Sequence, residues 1–159
     1  IDGVVVNGGS GNSNKHMKIS AREMARFGHL FLNRGNWKGR QLISAAWVDA
    51  ATRVQVSSAV PLGHPESGIA GPCMYGFNWW VNGRKPDGQL KWPGVPVDAY
   101  AASGHNNNDM FVIPRWNMVI VRLGLDQSGG SALTIDDRQN SFDAVVFGEI
   151  AAGKWMFSP

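Results

Sequence analysis

The sequence predicts an α+β fold, an antiparallel sheet with helices packed against it, and three observations carry that expectation. Val97 to Ser103, Asp109 to Ile113 and Met118 to Leu123 are β-prone segments joined only by Asn106-Asn107-Asn108 and by Pro114-Arg115-Trp116-Asn117. Connections this short make neighbouring antiparallel strands the default. Segments before and after this block carry helical signals instead. Finally, 20 glycines and 8 prolines in 159 residues favour many turns and short elements over a helical bundle.

In chain order, Val4 to Val6 is a short strand candidate, followed by a loop of Gly, Ser and Asn. Ser20-Ala21-Arg22-Glu23 is a capping box, in which Ser at the N-cap and Glu three residues later satisfy each other's free backbone N–H groups. Met24, Phe27, Leu30 and Phe31 then recur at helical spacing, and Asn33-Arg34-Gly35 stops the helix. A tight turn carries Trp37 and Gly39, and Ser44 caps a second short helix running to about Thr52. Residues 57–73 are a Pro/Gly/Ser loop, Tyr75 to Val81 is an aromatic strand, and 83–96 is turn-rich. Met118 to Leu123 is apolar on both faces, the pattern of a strand in a sheet covered on both sides. A final amphipathic helix presents Phe142, Val145, Val146 and Ile150 on one face and stops at Gly153.

Composition narrows the function classes. Hydrophobic residues at 43% and charged residues at 17% can build a core and do not describe a disordered tail. No apolar run approaches the ~20 residues of a membrane-spanning helix, so no membrane segment is expected. The net charge of +3 comes from scattered cations without a basic run, which argues against nucleic acid or a lipid surface as partner. One cysteine, Cys73, excludes an internal disulfide and a Cys-based zinc site. His16, His29 and His64 lack ligand spacing, so no metal is expected. Gly8-Gly9-Ser10-Gly11 lacks the Lys-Ser/Thr of a phosphate loop, and the dinucleotide pattern fails at Asn14; no cofactor is expected. The N-terminus, Ile1-Asp2-Gly3, has neither an initiating Met nor a signal pattern, as expected of a chain that starts inside a longer one.

Ser20 to Thr52, with Ile19 before it, reads ISAREMARFGHLFLNRGNWKGRQLISAAWVDAAT; further on come YGFNWWVN and YAASGHNNNDMFVIPRWNMVIVRLG. The first resembles the helix–turn–helix of the serine β-lactamase-like hydrolases, the group joining class C β-lactamases, D-alanyl-D-alanine carboxypeptidases and certain esterases. The other two are similar to that family's C-terminal strands, where a glycine–histidine motif precedes a strand ending in Pro and then a Val-rich strand. The order and spacing carry the resemblance over nearly the whole chain, more than any single motif.

The family's nucleophile sits in a Ser-x-x-Lys motif, where the Lys eases deprotonation of the Ser. The residues three before Lys15, Lys18, Lys38, Lys85, Lys91 and Lys154 are Asn12, Lys15, Gly35, Asn82, Gly88 and Ala151, and none is serine. The second motif, Tyr followed two residues later by Asn or Ser, is also missing at Tyr75 and Tyr100. The chain therefore resembles the C-terminal half of such an enzyme, a single partial domain over 1–159. It is expected to be inactive alone, with no catalytic residue of its own.

The third motif region corresponds to Ser103-Gly104-His105-Asn106-Asn107-Asn108, with Asn107 where the family places glycine. Asn tolerates left-handed backbone angles, so the turn survives. The resemblance implies that this strand edge lines the substrate channel and helps form the oxyanion hole. His105 then lines the cleft, or is simply a histidine hydrogen-bonded at a strand end. The three asparagines are amide donors to a substrate, or only a hairpin turn. Ser103 and His105 are not a nucleophile pair, since spacing along a strand gives them no assured hydrogen bond. Trp79, Trp80, Trp92 and Trp116 are read as core in preference to a stacking surface.

The resemblance implies a parent that opens an ester, amide or lactam through an acyl-serine, with a small-molecule or peptide substrate and a periplasmic or secreted location. The rivals are a non-catalytic Trp-rich binding module for peptidoglycan-like ligands and a structural subunit needing a partner chain. In the family, N-terminal strands lie beside the last strand, which here resembles Met118 to Leu123. Without them that edge is expected to recruit a second copy or a partner chain, an expectation that Val4 to Val6 taking the vacant place would overturn.

Overall fold

Two serines start the two N-terminal helices in the computed structural model, which describes residues 19–60, 73–104, 108–123, 147–150 and 152. Helix α1 spans Ala21–Leu32, and the Ser20 hydroxyl accepts from the Glu23 N–H at 3.2 Å. The return half of the expected capping box is replaced, because the Glu23 carboxylate pairs with Arg26 one turn along. Asn33 caps the C-terminal end, and Gly35 (φ 82°) follows with its N–H on the Leu30 carbonyl. A Cβ at Gly35 would lie 2.0 Å from the Ile43 carbonyl oxygen, so the chain turns there only because no side chain is present.

Strands β1 (Asn36–Trp37) and β2 (Arg40–Gln41) form a small hairpin through Lys38 and Gly39, both at positive φ, as a two-residue turn requires. Helix α2, Ala45–Ala51, begins at Ser44, whose hydroxyl accepts from the Trp47 N–H.

The main sheet is antiparallel throughout, in the order β3 (Trp80–Val81), β4 (Tyr100–Gly104), β5 (Asn108–Ile113) and β6 (Met118–Arg122). A 3₁₀ turn, Pro114–Trp116, and Asn117 at φ 48° reverse the chain between β5 and β6. Alternation along the strands divides the interior. Val81, Tyr100, Met110 and Val112 face α1 and α2 with Phe31, Val48 and Trp79. Ala101, Phe111 and Ile113 face the other way, against Trp92, Val95 and Phe147, the first residue of the helical stretch 147–150. The architecture is α+β, and both faces of β6 are packed, as its sequence implies. Among the described residues, β5 flanks β6 on one side and no strand lies on the other.

Two expectations need correction. The aromatic segment from Tyr75 is not one strand. Gly76 and Asn78 (φ 60°) fold it back so that Tyr75 bridges Trp80, and only Trp80 and Val81 join the sheet. A Cβ at Gly76 would sit 2.1 Å from the Ala51 carbonyl oxygen. The strand expected from Val97 begins at Tyr100, because Ala99 turns back to hydrogen-bond the Pro96 carbonyl. On α1 the deeply packed positions are Gly28 and Phe31. Phe27 stays 46% exposed while stacking on Trp79. Gly28 lets the helix approach the sheet, since a Cβ there would lie 2.7 Å from Val119 Cγ1. Val4 to Val6, Phe142, Val145, Val146 and Gly153 lie outside the described residues.

Candidate functional site

Of the expected cleft-lining run, Ser103, Gly104 and Asn108 lie at the facing ends of β4 and β5. Ser103 pairs in register with Asp109 and Gly104 with Asn108. His105, Asn106 and Asn107 lie outside the described residues. Gly104 is exposed, and a Cβ there would meet nothing closer than the Asn108 carbonyl oxygen at 3.9 Å, so no steric demand selects the glycine. The Ser103 hydroxyl donates to the carboxylate of Asp109 across the ladder. Its hydrogen is thereby directed to a buried acid, an anchoring role for Ser103.

Asp109 is the residue that the sequence reading missed. It is buried, and Arg122 of β6 lies directly opposite it in register. Ser103, Asp109 and Arg122 thus form one cross-strand row at the end of the sheet that carries the hairpin. Burying a carboxylate is costly unless it is hydrogen-bonded or paired. The signal was its parity: Asp109 shares a face with Phe111 and Ile113 in an otherwise apolar strand.

Lys91 is the second buried charge. Its Nζ lies 4.8 Å from the Trp80 ring centroid and 5.8 Å from that of Trp92, within cation–π range. Trp79 and Trp92 are buried and Trp80 and Trp116 half-buried, so these four tryptophans mainly fill the interior. The exposed aromatic pair is elsewhere, where Trp47 stacks on Phe77 at 5.5 Å. His29 is exposed on α1 and meets the Trp37 ring edge-on; His16 and His64 lie outside the described residues. Among the described residues no three His, Cys, Asp or Glu side chains gather as metal ligands would, and no helix is long and apolar enough to cross a membrane.

A cleft of about 520 Å³ opens at the opposite end of β4, where Tyr100 begins the strand, beside Phe31 of α1 and Asp49 of α2. Burial pushes the Tyr100 phenol well above its ordinary value, and the carboxylates of Asp98 and Asp49 add to the rise. The hydroxyl therefore stays protonated wherever the protein is folded at ordinary pH.

No protein-family model matches the chain. Over 107 residues, 67% of the chain, it is 23% identical to an uncharacterized protein of Alkalihalophilus pseudofirmus. The matched stretch is 30% of that relative's length.

Proposed function

We propose that the chain is the C-terminal portion of a serine hydrolase of the β-lactamase and penicillin-binding type, whose intact form opens an ester, amide or lactam through an acyl-serine intermediate. The observation that carries this reading is the order of parts. A capped helix–turn–helix over Ser20 to Thr52 precedes an antiparallel strand pair whose facing ends carry Ser103, Gly104 and Asn108. In this reading these ends border the substrate cleft, and the Ser103–Asp109–Arg122 row holds them in register. The chain supplies one wall, and the nucleophile comes from a segment that it does not contain. A non-catalytic Trp-rich binding module fits less well, because Trp79 and Trp92 belong to the core clusters and cannot offer their faces to a ligand.

The test is to read the coding DNA upstream of Ile1 and express the longer frame beside the chain itself. A penicillin or fluorophosphonate probe should then add covalently, by intact mass, to a serine of an upstream Ser-x-x-Lys and to no serine of the chain alone. A labelled serine within the 159 residues, or an upstream frame without such a motif, would refute the proposal.

A further inference from the structure

The cleft at the start of β4 lies at the far end of that strand from the hairpin, and its volume of about 520 Å³ is that of a small-molecule site. Phe31, Leu32, Val48, Val81 and Val97 make its wall largely apolar. The lining also includes two acidic residues, Asp49 and Asp98, two arginines, Arg34 and Arg53, and Tyr100. One carboxylate and one guanidinium are already used on each other, since Arg34 donates to both oxygens of Asp49, its Nε reaching Oδ1 at 3.2 Å.

The rest is less committed. Among the described residues Asp98 pairs only with Arg115, at 3.9 Å, the outer limit of an ion pair, with both side chains substantially exposed. Arg53 forms no ion pair among the described residues. Tyr100 is 3% exposed, yet its hydroxyl finds no hydrogen-bond partner among the described residues. That hydroxyl is not sealed in the interior and is free to bond with whatever enters the cleft.

We propose that this cleft binds a small zwitterion, an ammonium and a carboxylate carried on one apolar body, the chemical class of a free amino acid. Asp98 and the Tyr100 oxygen accept from the ammonium, and Arg53 donates to the carboxylate. The apolar wall takes the side chain. The site stands apart from the hairpin, and its existence is independent of the hydrolase reading.

The test is a calorimetric and amide-NMR titration of the whole chain with L-leucine and L-phenylalanine. Two truncated analogues of leucine accompany them: 3-methylbutylamine, which lacks the carboxylate, and 4-methylpentanoate, which lacks the ammonium. At least one amino acid should bind saturably, with shifts confined to residues around the cleft, and both analogues should be weaker by about tenfold or more. Asp98→Asn and Arg53→Gln should each weaken the amino acid by about tenfold while leaving the melting temperature unchanged. Tyr100→Phe should weaken it as well. The proposal is overturned if the amine binds as tightly as leucine, if the carboxylate does, if neither amino acid saturates, or if the Asp98 and Arg53 variants bind like the parent.

Discussion

Replacing Asn82 by alanine should be among the most damaging single changes in the chain. Asn82 is 1% exposed and its carboxamide stitches the 92–96 segment to the end of β3. Its Nδ2 donates toward the carbonyls of Trp92, Val95 and Pro96 at 3.2, 3.0 and 3.1 Å, and its Oδ1 accepts from the Trp92 N–H at 2.8 Å. An amide carries two hydrogens, so three carbonyls share two donors, and the group amounts to three hydrogen bonds. At about 1 kcal/mol each, with a buried N–H then left unpaired at a cost of about 1–3 kcal/mol, Asn82→Ala should destabilise by about 4–6 kcal/mol. For a domain of this size that lowers the melting temperature by roughly 10–20 °C.

Asn82→Asp adds a sign test. Its carboxylate would face three carbonyl oxygens, so burial and that contact raise its folded pKa above the unfolded value of about 3.9. A group raised in this way is most favourable below its unfolded pKa and loses that contribution as pH rises through its folded pKa. The Asp variant should therefore melt closer to the parent near pH 4 than near pH 8, by circular dichroism with the parent measured at each pH. A loss under about 1 kcal/mol for Asn82→Ala, or an Asp variant indifferent to pH, would refute the bonding assigned to this amide.

Ser20→Ala should cost about 1 kcal/mol in a thermal melt and Glu23→Ala less, since Glu23 holds an exposed Arg26 in place of the cap N–H; the reverse order would show that α1 begins elsewhere. Because the Tyr100 phenol is raised in the fold, its contribution is complete below its unfolded value of about 10 and is lost as pH climbs through the folded value. Tyr100→Phe should flatten the alkaline fall in stability, and an unchanged alkaline limb would contradict the burial assigned to the phenol. With no described strand on the outer side of β6, the chain is expected to self-associate through Met118–Leu123 at tens of micromolar; a well-behaved monomer in analytical ultracentrifugation would count against it.

The local chemistry of this fold was legible in the sequence, and the long-range chemistry was not. Ser20 and Ser44 announce α1 and α2 because a cap is settled within four residues. The reversal at Asn117 is equally local. The strand from Tyr75 was overread because its aromatics suggested a β run, while Gly76 and Asn78, the residues that fold it back, are turn formers lying within it. Phe27 belongs to the helical apolar spacing of α1, yet the close approach belongs to Gly28, whose missing side chain matters only because Val119 and Met110 lie across from it. Asn82, Lys91 and Asp109 are polar residues whose burial depends on partners 6 to 14 positions away or on facing aromatic rings, and no local pattern encodes that. The hairpin motif was legible as a position, and its anchoring by Ser103 and Asp109 emerges only from the register.

The division of the interior by β5 has a consequence for how this protein can vary. Met110 and Val112 belong to one apolar cluster, Phe111 and Ile113 to the other, and the strand is a partition between them. Among the described residues the two clusters have no member in common, which favours additive mutational effects between them. One compartment is furnished chiefly by residues of α1 and α2, the other by the 92–101 segment and Phe147. A lineage can refit one room while the other stays as it was. The two halves of the interior are free to drift at different rates, with the backbone of β5 as the boundary that both must respect.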